Sequence, residues 1–509
     1  MKSSETVGII DIGSNTVRLA VFQSTASGAF RLIDQARRSA RLGRRLTDDN
    51  RLDDDAVKLL TEMLNHFASI CRKYDTAAIR CVATAALRAA GNRDVVVREL
   101  HAATGIAVEI LTGEEEAHYG SVAVMRTLPI IDGYVVDIGG GSTEITLIRG
   151  RRIIESVSFP IGCVNLSAQY EADGTHDPDS VIERVRQDVR RLLSSCAWTS
   201  EFPGLPLIGL GGTVRAFAKV MQRSSDYPLT RLHGFEQSPD RLDALLRQLA
   251  SMMPNERRKI PGLSKDRSDV IVPGMAILSS VIRHIKADKL VVSGNGIREG
   301  LLFETFMPDF PTDDGNPVLE HSIRNLNALY PTAPPDHLEQ VSRLALVLFD
   351  SLDGANRCSR SAPAWLNAAA RLYKIGAAID LNDYGNHTFY MLLHTHWNGL
   401  SHREIVLTAA IASYNSANAN RRKLAPYRSI LRDGDIEMAA KVGAILQLAA
   451  ALDRSESQAI RELRVTVSGS KLMLIADTDL PLNMEYMETE SLAKEFMKVW
   501  GLTPRLLPQ

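Results

Sequence analysis

The sequence predicts an α/β protein over its first three-fifths and a mainly helical region after it. Three observations carry that reading. Short apolar runs alternate with Gly-rich turns and helical patterns over about 300 residues. One strand–turn–strand plan occurs twice, as VGIIDIGSNTVRLAVF (7–22) and YVVDIGGGSTEITLI (134–148). A Pro-, Asp- and Gly-rich break, MPDFPTDDGNP (307–317), separates this part from the helix-rich remainder.

Residues 7–10 and 17–22 read as strands around the turn DIGSN. The spacing predicts a helix over 54–72, with Leu59, Leu60, Met63, Leu64, Phe67 and Ile70 on one face. Buried strands are expected at 78–82 and 108–111. The second strand–turn–strand places strands at 134–136 and 144–148 around DIGGGS. A helix is expected over 181–193, and short buried strands at 207–210 and 290–292, each running into a Gly-rich turn and a helical pattern. Beyond the break, stripes such as Val341, Leu344, Ala345 and Leu348 predict helices up to about Asp453. Ser468-Gly469-Ser470, between apolar runs at 464–467 and 471–475, signals a hairpin, and 491–500 reads as an amphipathic helix, giving a small α+β tail. The expected domains are 1–125, 126–308, 309–455 and 456–509.

Composition narrows the function. The chain has 509 residues, ample for several hydrophobic cores. Lys+Arg is 59 against Asp+Glu 60, a net charge of -1. A global attraction to nucleic acid or to an anionic membrane is excluded, and any polyanion must be held by local patches. The five cysteines form no CxxC pair, which argues against a disulfide framework or structural zinc. MKSSETVGIID lacks the apolar core of a signal peptide, and the apolar window VGAILQLAAAL (442–452) is too short to cross a bilayer. A soluble, reducing, cytoplasmic setting is expected.

The two DIG turns carry the chemistry. A Gly-rich turn lets an anion approach closely, and its backbone N–H groups form a nest for phosphate oxygens. Asp11 and Asp137, 126 residues apart, each add a carboxylate that suits a hard cation such as Mg²⁺. The second turn enters a strand, unlike a Rossmann or P-loop turn, and GxxxxGK[ST] is absent. One such turn would read as a tight hairpin; two matched copies favour a phosphate clamp. GLGGT (209–213) and SGNGIREG (293–300) also follow strands, and Arg215 and Arg298 after them are placed to face a cleft. In LTGEEEA (111–117) the helix macrodipole accounts for two of three carboxylates, and the third could deprotonate water. Position alone does not say which. In IRCVATAALRAAGN (79–92), Thr84, Arg88 and Asn92 recur on one helical face. The run ARRSARLGRR (36–45) reads as a solvated face, while NRRKLAPYR (420–428) with PGLSKDR (261–267) is a candidate track for a long polyanion.

Taken in order, DIGSNTVRL, ATAALRAAGN, LTGEEEA, VVDIGGGSTE, FPIGCVNL, GLGGTVRA, RSDVIVPGMAIL and VVSGNGIREGLL resemble the exopolyphosphatase and guanosine pentaphosphate phosphohydrolase family, within the actin/Hsp70/sugar-kinase superfold. The resemblance implies two ribonuclease-H-like (actin-like ATPase) domains flanking a cleft. It implies Glu116 as catalytic base, Asp137 and Glu144 as metal carboxylates, and Mg²⁺ as cofactor, with K⁺ a further candidate. The expected phosphate contacts are Asp11, Gly13, Ser14, Asn15, Arg88, Gly139, Gly140, Gly141, Ser142, Gly211, Gly212, Thr213 and Arg267. Long members carry a helical HD-like domain. Here Tyr373-Lys374 stands where His-Asp is expected, His387 remains, and a later expected His falls near Tyr414-Asn415. That metal motif is degenerate, and the region is expected to bind substrate and to form a homodimer. The expected activity is release of orthophosphate from the ends of inorganic polyphosphate. Guanosine pentaphosphate is the alternative substrate. An ATP-dependent kinase and a silent polyphosphate sensor are remoter readings, the latter disfavoured by the intact Glu and Asp set.

Overall fold

The computed structural model describes residues 5–47, 49–172, 177–307, 316–353 and 359–508. Most of the break at 307–317, and Cys358, lie outside them. The chain forms two compact units, Met1–Thr312 and Asp313–Gln509.

The first unit contains two sheets. One has five strands, β1 (Thr6–Ile12), β2 (Thr16–Ser24), β3 (Phe30–Ser39), β4 (Ala78–Ala83) and β5 (Val108–Ile110), in the order β3-β2-β1-β4-β5. The first three pair antiparallel and the last two add in parallel. The other sheet comprises β6 (Gly133–Ile138), β7 (Thr143–Arg149), β8 (Arg152–Phe159), β9 (Leu207–Leu210), β10 (Phe235–Gln237) and β11 (Leu290–Val292), in the order β10-β11-β9-β6-β7-β8. Read from β8, it repeats the first topology, an antiparallel meander followed by two parallel strands, with β10 as an extra edge. The duplicated motif is thus a duplicated sheet. Even the register matches: Asp11 pairs with Arg18 across β1 and β2, and Asp137 with Glu144 across β6 and β7.

Helices cover both sheets. The helix Asp54–Lys73 buries Leu60, Met63, Leu64 and Phe67 on the first sheet, while Leu59 and Ile70 sit half-buried at the edge of the predicted stripe. Asp53 caps its first turn by accepting from the Ala56 amide at 2.6 Å. The helix Ile271–Ile285 is apolar on nearly all sides and is buried in the core of the second sheet.

The sequence expectation differs from the structure at several places. β3 is mostly exposed and carries FRLIDQARRS, so no apolar alternation marks it. Asn92 does not share a helical face with Thr84 and Arg88. The short helix Ala85–Ala89 ends where Ala90 turns extended, and the Asn92 amide brackets the Leu52 backbone at 3.0 and 2.9 Å. The arginine run 36–45 is not merely solvated. Arg37 pairs with Asp266, and Arg41 and Arg44 reach Asp269 at 3.4 and 3.5 Å, tying the two lobes of the first unit together.

The second unit is helical up to Ala451 and then forms a three-stranded sheet of β12 (Glu462–Ser468), β13 (Lys471–Asp477) and β14 (Thr503–Pro508), with the helix Asn483–Trp500 packed on it. β12 and β13 are the expected hairpin; β14 adds in parallel. Among the described residues, no helix is long and apolar enough to cross a membrane.

Candidate active site

The two DIG turns have one geometry. The Gly13 amide donates to the Thr16 carbonyl at 3.1 Å, and the Gly139 amide to the Ser142 carbonyl at 3.0 Å. The turns face and touch each other. A Cβ on Gly140 would lie 3.0 Å from the Ser14 Cβ, and one on Gly141 would lie 3.0 Å from the Ser14 Oγ. Behind them, a Cβ on Gly162 would meet the Gly140 backbone at 2.4 Å. Backbone cannot yield as a side-chain tip can. Gly162→Ala is therefore expected to displace the second turn, to destabilise the unit by about 1–3 kcal/mol in a denaturant titration, and to lower kcat/KM.

Between the turns lies a cleft enclosing about 770 Å³ of empty space. Asp11, Gly13, Ser14, Asn15, Glu116, Asp137, Gly139, Gly140, Gly141, Ser142, Gly211, Gly212 and Arg267 all line it. Gly211 has φ +86°, and its close approach to the Asp137 carboxylate leaves no room for a Cβ. Over Gly212 lies the Arg267 guanidinium, which occupies the place a side chain would take. Arg88, Glu144 and Thr213 do not line the cleft. Arg88 stands behind Glu116, Glu144 is buried at 2% exposure, and Thr213 is buried against Gly274. Arg215 and Arg298 do line it, as their turns suggested. So does Thr84, named with Arg88 on one helical face, and so do Arg18, Cys163 and Glu299, which sequence reasoning passed over.

The structure separates the three glutamates of LTGEEEA. Thr112 caps the helix Gly113–Thr127, accepting from the Glu115 amide at 3.1 Å while Glu115 accepts from the Thr112 amide at 2.8 Å. Glu114 is exposed. Glu116 turns inward at 5% exposure, its Oε2 accepting from Arg88 Nη1 at 3.0 Å. Arg88 Nη1 also donates to the Leu111 carbonyl at 2.8 Å, which fixes the guanidinium.

Charge is divided across the cleft. Burial, then the neighbouring Glu144, push the Glu116 carboxyl well above the ordinary glutamate range, against the pull of Arg88. Burial and Asp137 push Glu144 up to about 7, and burial pushes Asp137 up to about 6. Opposite them, burial and the Arg215 charge lower Arg18 to about 9, and burial with Arg298 and Arg267 lowers Arg215 to about 10. Asp11 is raised by burial and drawn back by Arg18, Arg298 and Arg215. Glu116, Asp137 and Glu144 form one acidic group, while Asp11 and Glu299 sit among the arginines. The duplicated register makes the asymmetry: the position that is Arg18 in the first hairpin is Glu144 in the second.

Several polar atoms at this site have no partner. Asn15 Nδ2, Thr16 Oγ1 and Glu144 Oε2 are buried and make no hydrogen bond. Glu144 Oε1 is held by the Ser158 hydroxyl at 2.7 Å, and Oε2 makes no hydrogen bond, although Ser142 stands close enough to lower the carboxyl's pKa. Among the described residues no group of three or more His, Cys, Asp or Glu side chains converges as a metal cage. A site of one or two carboxylates completed by substrate oxygens and water suits Mg²⁺, and Asp137 with the orphaned Glu144 oxygen fits that description.

Two sheets of one topology, with paired glycine turns gripping a cleft of divided charge, define an actin-like α/β protein built to handle phosphoryl groups. A family model of the Ppx/GppA phosphatase family matches residues 20–307, and that of the family's domain III matches residues 318–498. The chain belongs to the Ppx/GppA phosphatase family and is a phosphoanhydride hydrolase. A structure of the Aquifex aeolicus member of the Ppx/GppA family is similar at 27% identity and a TM-score of 0.52, covering 60% of this chain and 98% of its own. An exopolyphosphatase from Cytophaga hutchinsonii shares the fold at 23% identity and a TM-score of 0.55, over 59% of this chain and 97% of its own.

Proposed function

We propose that the chain is an exopolyphosphatase, releasing orthophosphate from the end of linear inorganic polyphosphate. One observation carries the choice of substrate. The cleft opens past Arg18, Arg215, Arg267 and Arg298 into a basic chamber that also presents Arg37 and Lys219. No aromatic residue among the described ones lines this chamber. A nucleoside would find no ring to stack on there, whereas an extended polyanion would meet six cations.

In this reading the terminal phosphoryl rests on the amides of the two glycine turns, with Asn15 Nδ2 and Thr16 Oγ1 as further partners. The arginines hold the chain behind it and stabilise the leaving oxygens. Glu116 takes the proton of the attacking water; burial and the neighbouring Glu144 raise its pKa and with it its basicity. Asp137 and Glu144 would hold Mg²⁺, which would supply charge neutralisation at the phosphoryl oxygens.

The second unit has another role in this proposal. Both nitrogens of buried His337 are engaged, Nδ1 with Asp453 at 2.7 Å and Nε2 with the Tyr373 hydroxyl at 2.6 Å, and Lys374 pairs with Glu456. Such a closed network supports an HD-like domain without a metal centre.

Time-resolved phosphate release from long-chain polyphosphate and from guanosine pentaphosphate, with Mg²⁺ or a chelator and no acceptor, tests the proposal. Polyphosphate is expected to show kcat/KM at least tenfold higher, and chelation to abolish release. A preference for the nucleotide would reject the substrate assignment, and a need for an acceptor would reject hydrolysis.

A further inference from the structure

A second cavity, with about 1400 Å³ of empty space, lies wholly within the second unit. Its walls differ in kind from the basic chamber. Tyr373, Tyr384 and Tyr414 line it, with Arg422 and Lys423 of the basic stretch 420–428. Two of the rings are anchored: the Tyr373 hydroxyl is bonded to His337, and the Tyr414 hydroxyl donates to Glu495 Oε1 at 3.0 Å. Lys423 is anchored as well, donating to the Ser413 carbonyl at 2.8 Å.

Other polar groups of the wall are left open. Ser413 is 2% exposed, and its hydroxyl makes no hydrogen bond. Gln447 interrupts the apolar run AILQLAAA of the helix Asp435–Ala451, and its side-chain amide has no partner among the described residues. The same holds for the Tyr384 hydroxyl, while Arg422 makes no ion pair among the described residues, although Asp383 brings a carboxylate to the same wall.

We propose that this cavity binds a purine nucleotide. Tyr384 and Tyr414 offer faces for the base, Gln447 reads its edge, and Arg422 takes the phosphates. Three aromatic rings with two cations suit a nucleoside phosphate, as six cations without a ring suit a bare polyanion. The inference does not rest on the substrate assigned to the cleft.

Hydrogen exchange of the full chain with GDP or ADP, against inorganic pyrophosphate, tests it. A nucleotide is expected to slow exchange in 383–387 and 413–423, and pyrophosphate to leave both segments unchanged. Gln447→Leu extends the apolar run of its helix and preserves the fold. It and Tyr384→Ala should each weaken nucleotide protection at least tenfold in concentration. Protection confined to the first unit, equal protection by pyrophosphate, or protection retained in both variants would overturn the proposal.

Discussion

Glu116→Gln is expected to lower kcat for phosphate release by about 10²–10⁴-fold while leaving KM within a few-fold, the signature of a lost general base. Glutamine fills the same space and still accepts from Arg88, so the glycine turns stay in place. The pH profile separates a base from a merely structural carboxylate. Since the Glu116 carboxyl is raised well above its ordinary range, kcat/KM of the parent protein should fall as pH drops through that raised value. The residual activity of Glu116→Gln should lack this acid limb. Arg88→Ala adds a directional check. Arg88 pulls the Glu116 pKa down, so its removal should shift the limb to higher pH, with activity partly recovered in alkaline buffer. An unchanged limb in Arg88→Ala would place the titrating group elsewhere.

The parts of this site that the sequence made legible are those fixed by local geometry. Asp11, Asp137 and their glycine turns sit at strand ends, where apolar periodicity stops at a turn with few conformational options. The LTGEEE glutamates were only half legible. Thr112 and Glu115 spell a capping box, which would have set Glu115 aside, but choosing Glu116 over Glu114 needed the packing of the helix against β7 and β8. Arg18 was hidden by its context: a cation alternating within VRLAVF reads as outward-facing, and only the second sheet turns that face into a cleft wall. β3 and β8 were missed because their exposed residues are mixed, so neither shows clean alternation. In these cases the deciding neighbour is remote in sequence, and the local pattern has no access to it.

Glu144→Gln is expected to make the metal-free protein more stable and the enzyme nearly inactive. A carboxyl whose folded pKa is raised favours the folded state while protonated, and that contribution is lost as pH rises through the folded value. For Glu144 the window runs from the ordinary 4.5 up to about 7, so above it the ionised group opposes folding by on the order of 3 kcal/mol. Glutamine keeps the bond from Ser158 and carries no charge to bury beside Asp137. At pH 8 in chelator the variant should therefore melt a few degrees higher than the parent, with the gap closing towards pH 5. Mg²⁺ should raise the parent more than the variant, because the orphaned Glu144 oxygen is the atom that a cation would satisfy. Phosphate release by the variant should fall by about 10²–10⁴-fold, several kcal/mol of lost charge stabilisation. Lower stability on substitution, with Mg²⁺ raising both proteins equally, would show Glu144 to be a structural acid. The opposite signs of the two effects would place it among the groups that stand ready for a cation at the expense of the fold.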